Sequence, residues 1–341
     1  MKTHYRKLIL TGLFVPIALV CFTLSILIGS VSIQPIDAFS AIITELTGLG
    51  GIPNDQGKQD SLIQAIIWEL RFPRSIAAFV TGGLLSLSGA IMQVLLRNPL
   101  ADPGILGVSG GAAVMALLTI SFGFSGYWVS QNAFLGALFS MFLVFGLAHR
   151  NGSWNPLRLL LTGVVIAAGW GAITSFILAT SPSDRVVSMI FWQMGDLSDS
   201  PTPVFGLWVL LIGLVVCLYF SRPMNLLTRG DIQAKSLGVP VKYLRITLYF
   251  LASLLTATAV TIAGTVGFVG LIVPHILRLL GLSDHRYLLV GAVLFGGALL
   301  MAADLLARTI ISPQQLPVGV VTAFIGVPIF LYILNRDASK T

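Results

Sequence analysis

Long runs of apolar residues, separated by short polar segments, fill most of the sequence. A helix needs about 20 apolar residues to cross a bilayer, and ten runs approach or exceed that length. Because a spanning segment must satisfy its own backbone hydrogen bonds, each run is predicted to be a helix. The predicted spans are residues 8–29, 72–96, 104–122, 132–149, 157–180, 203–221, 242–264, 267–282, 286–308 and 316–334.

Three apolar runs differ from the others in their position, length or proline content. The run 8–29 follows a basic N-terminus but exceeds the roughly 7–15 residues of a signal-peptide core, so it is predicted to be an uncleaved span. The run 267–282 is short and contains Pro274, which predicts a broken or tilted helix. Residues 186–197 are apolar but only about half a span long, which predicts a re-entrant or surface helix.

Composition supports a membrane protein. Mean hydropathy is +0.92, 56% of the residues are hydrophobic and 10% are charged, whereas soluble domains carry about 25% charged residues. This excludes an ordinary soluble enzyme and a disordered chain. We therefore expect an all-α polytopic membrane protein, with about ten transmembrane helices packed in one compact domain over residues 1–341.

The basic residues predict the orientation of the spans. The net charge is +7, and the short loops between spans account for it without nucleic acid. With ten spans, fifteen of the twenty Lys and Arg residues lie on the side of the N-terminus. The positive-inside rule then predicts a multi-pass membrane protein with both termini in the cytoplasm. The exceptions on the outer side are Lys58, Arg71, Arg74, Arg185 and Arg308.

The chain offers little chemistry of its own. Asp304 is the only acidic residue well inside a span, and it precedes Arg308 by four residues, so a local ion pair is favoured over a proton relay. Gly57-Lys58 lacks the spacing of a phosphate-binding loop. The histidines and cysteines show no metal-ligand spacing, and no catalytic pair stands out. If transport is uphill, the energy must come from another subunit. The alternatives to a transporter driven by another subunit are an ion-coupled secondary transporter of a small solute and an intramembrane enzyme or structural subunit.

The longest loop on the side of the N-terminus covers residues 221–241. Asp231 and Lys235 lie four apart, and Gly238 with Pro240 ends a helical pattern. This predicts a short amphipathic helix, which is either a solvated connector or a docking helix for a soluble partner. Its apolar positions are Ile232, Ala234 and Leu237.

Several blocks of sequence carry a family resemblance. They are LRFPR at 70–74, RNPLADPGILGVSGGA at 97–112, LGV at 237–239, GFVGLIVPHILR at 267–278 and LPVGVVT at 316–322. In number and order these blocks resemble the metal-chelate permeases of bacterial ATP-binding-cassette importers, which carry ferric siderophores, haem or cobalamin. The resemblance slightly favours cobalamin over a ferric siderophore or haem as the cargo.

The resemblance implies a type II importer permease rather than an enzyme. It implies a location in the bacterial inner membrane and a homodimer or pseudo-dimer with the translocation path between the two copies. It also implies two cytoplasmic ATPase subunits and a periplasmic substrate-binding protein. ATP and Mg²⁺ would be bound by the ATPase partner, and no cofactor or metal is expected in this chain.

The resemblance also assigns candidate site residues. Arg71, Arg74 and Arg308 would face acidic residues of the binding protein; the alternative is snorkelling or local pairing, of Arg71 with Glu69 and of Arg308 with Asp304. Asn155 and Pro156 occupy the position of the cytoplasmic gate, where the cobalamin permease has small hydroxyl residues, so the gate assignment departs from the family pattern. The residues expected to couple to the ATPase are Arg229, Asp231, Lys235, Leu237 and Gly238.

Overall fold

A computed structural model of the chain describes residues 2–29, 31, 33, 36, 62–149, 155–198 and 203–338. Within these residues the regular elements are all helical. A π-helical turn, Ile66–Arg71, leads into α2, and a 3₁₀ turn, Pro103–Leu106, precedes α3. The α-helices are α1 (Lys2–Leu27), α2 (Phe72–Leu96), α3 (Val108–Ser121), α4 (Gly126–Ala148), α5 (Pro156–Thr180), α6 (Ser183–Met194), α7 (Val204–Tyr219), α8 (Ser221–Leu227), α9 (Asp231–Ser236), α10 (Val241–Ala263), α11 (Val269–Leu279), α12 (His285–Thr309) and α13 (Val318–Ala338).

The predicted all-helical fold class is confirmed, and each predicted span coincides with an apolar helix. In the described residues, six helices are long and apolar enough to cross a bilayer, and the pair α7 and α8, bent by 60°, forms a further candidate. Helices α3 and α11 and the apolar part of α13, Val318–Ile333, are shorter. The ten-span topology stays a prediction. The half-length segment near residues 186–197 is the 12-residue helix α6.

Helix α2 lies at the centre of the bundle, and nearly all of its residues are buried. Small residues allow this burial, because neighbouring helices can approach its backbone directly. A Cβ atom on Gly82 would overlap the carbonyl group of Gly296 in α12, and one on Gly89 would overlap that of Gly270 in α11. These close approaches fix the distances from α2 to two other helices.

A second group of helices packs in a similar way. A Cβ atom on Gly111 of α3 would collide with the backbone of Gly136 in α4. The Ser140 hydroxyl of α4 donates to the carbonyl oxygen of Gly107 at 2.7 Å. That hydroxyl also accepts from the indole Nε1 of Trp170 in α5 at 2.9 Å. Helices α3, α4 and α5 are therefore joined by close packing and by one shared hydroxyl group.

Three helix ends meet at a corner formed by Gly195, Gly264 and Gly319. A Cβ atom on Gly264 would overlap the carbonyl oxygen of Trp192, and one on Gly319 would overlap that of Met194. Gly195 and Gly264 also adopt positive φ angles, which only glycine adopts without strain. The corner thus holds the end of α6 against the end of α10 and the start of α13.

The packing of α2 predicts that a single methyl group is tolerated very differently at two helical glycines. We expect Gly89→Ala to lower stability by about 1–3 kcal/mol, because α2 and α11 must move apart. The matched control is Gly12→Ala in α1, where nothing lies within 4 Å of the added atom. Thermal unfolding of the detergent-purified protein measures both variants. Equal unfolding midpoints for the two would contradict close packing at Gly89.

Candidate functional site: an arginine cluster and a coupling segment

The three outer arginines predicted to dock a binding protein lie close together, and all are buried within the chain. Arg71, the last residue of the π-helical turn, donates through Nη1 to the carbonyl oxygens of Ile26 at 2.9 Å and Leu27 at 2.8 Å. It also donates through Nη2 to the carbonyl oxygen of Val31. Because the last carbonyl groups of a helix have no partner within it, the guanidinium group of Arg71 caps α1.

Arg74 and Arg308 share one carboxylate, that of the fully buried Asp304. Arg74 Nε donates to Asp304 Oδ1 at 3.0 Å, and Arg74 Nη2 lies 2.9 Å from the same oxygen. Arg308 Nε lies 3.0 Å from Asp304 Oδ2, so the pairing predicted from the four-residue spacing is confirmed. We call Arg71, Arg74, Arg308 and Asp304 the arginine cluster.

Polar side chains complete the arginine cluster. Arg308 Nη2 donates to the Ser25 hydroxyl at 2.8 Å, and that hydroxyl lies 2.7 Å from the hydroxyl of Ser75. Arg74 Nη1 donates to Gln315 Oε1 at 2.7 Å. The cluster thus ties together α1, α2, α12 and the segment before α13. Three guanidinium groups against one carboxylate leave two positive charges in excess.

The 25 residues of α2 separate the arginine cluster from the second candidate site by about 37 Å along the helix. This second site is residues 221–241, here called the coupling segment. The structure divides it into the short helices α8 and α9. Gly230, with φ 122°, and Gly238, with φ 80°, lie on either side of α9. Both φ angles are typical of glycine and not of other residues, so the chain turns sharply before and after α9.

One side of α9 faces away from the bundle. Ile232 is 85% exposed and Leu237 is 64% exposed, whereas Ala234 is buried. The predicted coupling residues Arg229, Lys235 and Gly238 are also exposed. The segment therefore presents a small apolar patch with cationic neighbours. Both predicted roles of this helix, a docking helix and a solvated connector, stay predictions.

Asp231 takes a different position from the other predicted coupling residues. It is the first residue of α9, and its Oδ1 atom accepts a hydrogen bond from Arg245 Nη2 of α10 at 2.7 Å. It also pairs with the guanidinium group of Arg97, the residue that follows α2. Asp231 thus faces the bundle and joins the coupling segment to two long helices.

The start of the coupling segment is attached to α12. Asn225 in α8 donates through Nδ2 to Asp284 Oδ1 at 2.8 Å and accepts at Oδ1 from the backbone N–H of His285 at 3.0 Å. Burial raises the pKa of Asp284, but the Asn225 amide, the backbone N–H of Arg286 and the charges of Arg286 and Lys7 together lower that pKa below its ordinary value. Asp284 therefore stays ionised and caps α12.

The predicted gate residues Asn155 and Pro156 lie at the start of α5. Asn155 Oδ1 accepts from the backbone N–H groups of Leu157 at 3.0 Å and Arg158 at 3.3 Å, which is an ordinary N-cap. Pro156 occupies the first helical position, where its missing N–H costs nothing. Their role as a gate stays a prediction. In the described part of the chain, no three His, Cys, Asp or Glu side chains gather as a metal site would require.

The sequence predicts the arginines and residues 221–241 as candidate sites, but it did not predict several of their partners. It gave Arg71 the alternative partner Glu69, whereas the guanidinium group binds backbone carbonyls of α1. It missed the link from Arg74 to Asp304, across 230 positions of sequence. It also missed Arg97 and Arg245 as partners of Asp231. One signal in the sequence could have pointed to the second partner. Arg245 lies inside the predicted span 242–264, and a cation buried there needs an anionic partner.

Most of the chain is similar to known transport proteins. Residues 17–336 match the FecCD transport family. The chain is 38% identical over 282 residues to the vitamin B12 import system permease protein BtuC of Klebsiella pneumoniae, covering 81% of this chain and 84% of the relative. It is 42% identical over 275 residues to the cobalamin import system permease protein BtuC of Halobacterium salinarum, covering 80% and 74%.

Two solved structures have a fold similar to that of this chain. An inward-facing metal-chelate type ABC transporter superposes with a TM-score of 0.82 at 30% identity, covering 96% of this chain and 99% of that one. PsaBC from Streptococcus pneumoniae, solved in complex with Fab, superposes with a TM-score of 0.58 at 17% identity, covering 80% and 94%. The second likeness concerns the fold alone.

The arginine cluster predicts that Asp304 is essential for stability. We expect Asp304→Asn to destabilise the protein by about 3–5 kcal/mol, because two buried guanidinium groups lose their shared carboxylate. The control is Asp184→Asn, at a carboxylate whose side chain is 75% exposed. Thermal unfolding in detergent measures both. An unfolding midpoint for Asp304→Asn equal to that of the control would contradict the ion-pair arrangement.

Proposed function

Because this chain belongs to the FecCD transport family and is the permease subunit of an ATP-binding-cassette importer, we propose that its cargo is cobalamin. The observation that carries the proposal is the similarity to permeases named for vitamin B12 or cobalamin import, at 38–42% identity over about four fifths of the chain. A ferric siderophore or haem is the second candidate, since the block at residues 97–104 resembles siderophore permeases equally well.

The proposed assembly contains two copies of this chain, two ATPase subunits and a substrate-binding protein. Helix α5 supports a second copy, because a Cβ atom on Gly169 or Gly171 would meet nothing within 4 Å in this chain, and small residues let another helix approach closely. The coupling segment supports the ATPase subunits, because Ile232 and Leu237 expose an apolar patch between cationic residues. A complementary ATPase surface would offer an apolar groove with acidic neighbours. ATP and Mg²⁺ would be held by that partner.

The proposed orientation places the arginine cluster on the outer side of the inner membrane. It places the coupling segment and both chain termini on the cytoplasmic side. The distribution of basic residues supports this orientation. The two ends of α2 then face different partners, with the binding protein near Arg71 and Arg74 and the ATPase near Arg97.

The arginine cluster would attract the binding protein mainly through its long-range electrostatic field. The guanidinium groups of Arg71, Arg74 and Arg308 are engaged within the chain, so direct pairing with a partner requires them to share those contacts. The two excess positive charges still attract an acidic surface over roughly a Debye length, about 8–10 Å at ordinary salt. This charge excess supports steering of an acidic lobe rather than a set of free docking side chains.

The cargo proposal predicts selective uptake. In proteoliposomes containing the permease and its ATPase, with the binding protein outside, we expect ATP-dependent accumulation of labelled cyanocobalamin. A ferric hydroxamate siderophore and haem, each tested separately, should accumulate at least about ten-fold less, which corresponds to about 1.4 kcal/mol of discrimination. Accumulation of the siderophore or of haem without cyanocobalamin would overturn the proposed cargo and leave the transporter class intact. The mass of the purified complex tests the proposed two-copy assembly.

The steering proposal predicts a salt-dependent defect. We expect Arg71→Gln to slow association of the binding protein at least about three-fold at low salt, and the difference should vanish near 0.5 M salt, because screening removes the long-range attraction. The control is Arg185→Gln, which removes one positive charge elsewhere on the same predicted side. Surface plasmon resonance at several salt concentrations measures both rates. Equal slowing by the two variants would contradict a special role for the cluster.

A further inference from the structure

We propose that Asp231 is a positioning residue that fixes α9 to the scaffold helices α2 and α10, so that movement of the coupling segment is passed to α2. The inference rests on the proposed function and adds to it the route between the two partner surfaces. It starts from one carboxylate group shared by Arg97 and Arg245, which come from different helices.

Helix α9 depends on contacts outside itself for its orientation. It has only six residues, and a helix this short is marginal without tertiary contacts. The glycines on either side, Gly230 and Gly238, allow the flanking backbone to turn sharply. Only Asp231 and Ala234 of α9 face the bundle closely, since Ala234 is buried and Asp231 binds two arginines. The ion pairs therefore give α9 a defined attachment.

Arg97 adopts a backbone conformation that argues for use of its side chain. Its φ angle is 49°, in the left-handed region, at the position after a helix where glycine is usual. A residue with a Cβ atom is about 1–2 kcal/mol less favourable in that region. The chain nevertheless carries arginine there, and the guanidinium group of Arg97 reaches Asp231. Strained residues of this kind persist where surrounding contacts determine them.

Arg245 attaches α9 to α10 through a buried guanidinium group. Its side chain is almost completely buried, whereas that of Asp231 is partly exposed. A buried guanidinium group strongly favours a carboxylate partner at hydrogen-bond distance, and Asp231 Oδ1 lies 2.7 Å from Arg245 Nη2. Movement of α9 away from α10 would separate these charges, so the two helices are expected to move together.

The route continues along α2 because its neighbours cannot slide freely past it. Gly82 and Gly89 place the α2 backbone directly against Gly296 and Gly270. At the far end of α2, Arg74 binds Asp304 of α12. A displacement of Arg97 by α9 therefore reaches the arginine cluster through one continuous helix and its closely packed partners.

The test uses the full complex and does not depend on the identity of the cargo. ATP hydrolysis is measured in proteoliposomes with and without the binding protein. We expect Asp231→Asn to lose at least about four fifths of the stimulation by the binding protein, with the stimulation expressed relative to the basal rate of the same variant. Asp231→Glu should restore most of the stimulation, because it keeps the carboxylate. Asp184→Asn, which also removes one exposed carboxylate, should behave like the unmodified chain.

A second variant guards against a folding defect in Asp231→Asn. Arg97→Gln should also reduce stimulation, because it removes the link from α9 to α2. The double variant should be no worse than Asp231→Asn alone, since that single variant already lacks the Arg97 link. Full stimulation in Asp231→Asn or Arg97→Gln would overturn the inference, as would additive losses in the double variant. A wild-type complex that hydrolyses no ATP would instead contradict the proposed function, so the two failures are distinguishable.

Discussion

Contact between helix backbones is the constraint on which this structure depends. Lipid chains are as apolar as leucine, so burial in the membrane gives helices little reason to associate, and close van der Waals contact must supply it. Helix α2 meets this requirement with glycines that touch the backbones of α11 and α12 at Gly270 and Gly296. Because those contacts leave no room for adjustment, α2 acts as the rigid axis to which both candidate sites are attached.

Charged side chains are used sparingly and at the ends of that axis. At one end Asp304 is shared by Arg74 and Arg308, and at the other Asp231 is shared by Arg97 and Arg245. Each site thus has one carboxylate between two guanidinium groups, drawn from different helices. A charge that is costly to bury is stable there only because its partners are fixed by the surrounding packing, which makes both sites sensitive to the relative positions of the helices.

The sequence allowed the helices to be predicted, because apolar runs of span length have few other solutions in a membrane. Local spacing also predicted the Asp304 and Arg308 pair, which lies within one turn of one helix. The short helix α9 followed from its amphipathic pattern and its terminating glycine. Contacts between distant segments were beyond such reasoning. The partners of Arg74 and Asp231 depend on how α2, α10 and α12 are arranged, and no periodicity in a single sequence encodes that arrangement.

The corner formed by Gly195, Gly264 and Gly319 has a genetic consequence. Any missense change in a glycine codon adds at least one carbon atom to the side chain, and at Gly264 and Gly319 that atom would occupy the space of a carbonyl oxygen. A substitution at Gly264 or Gly319 therefore requires the end of α6 to move, whichever residue replaces the glycine. Variants adapted to a cargo of a different shape are therefore expected to change residues of the surrounding helices and to keep these glycines.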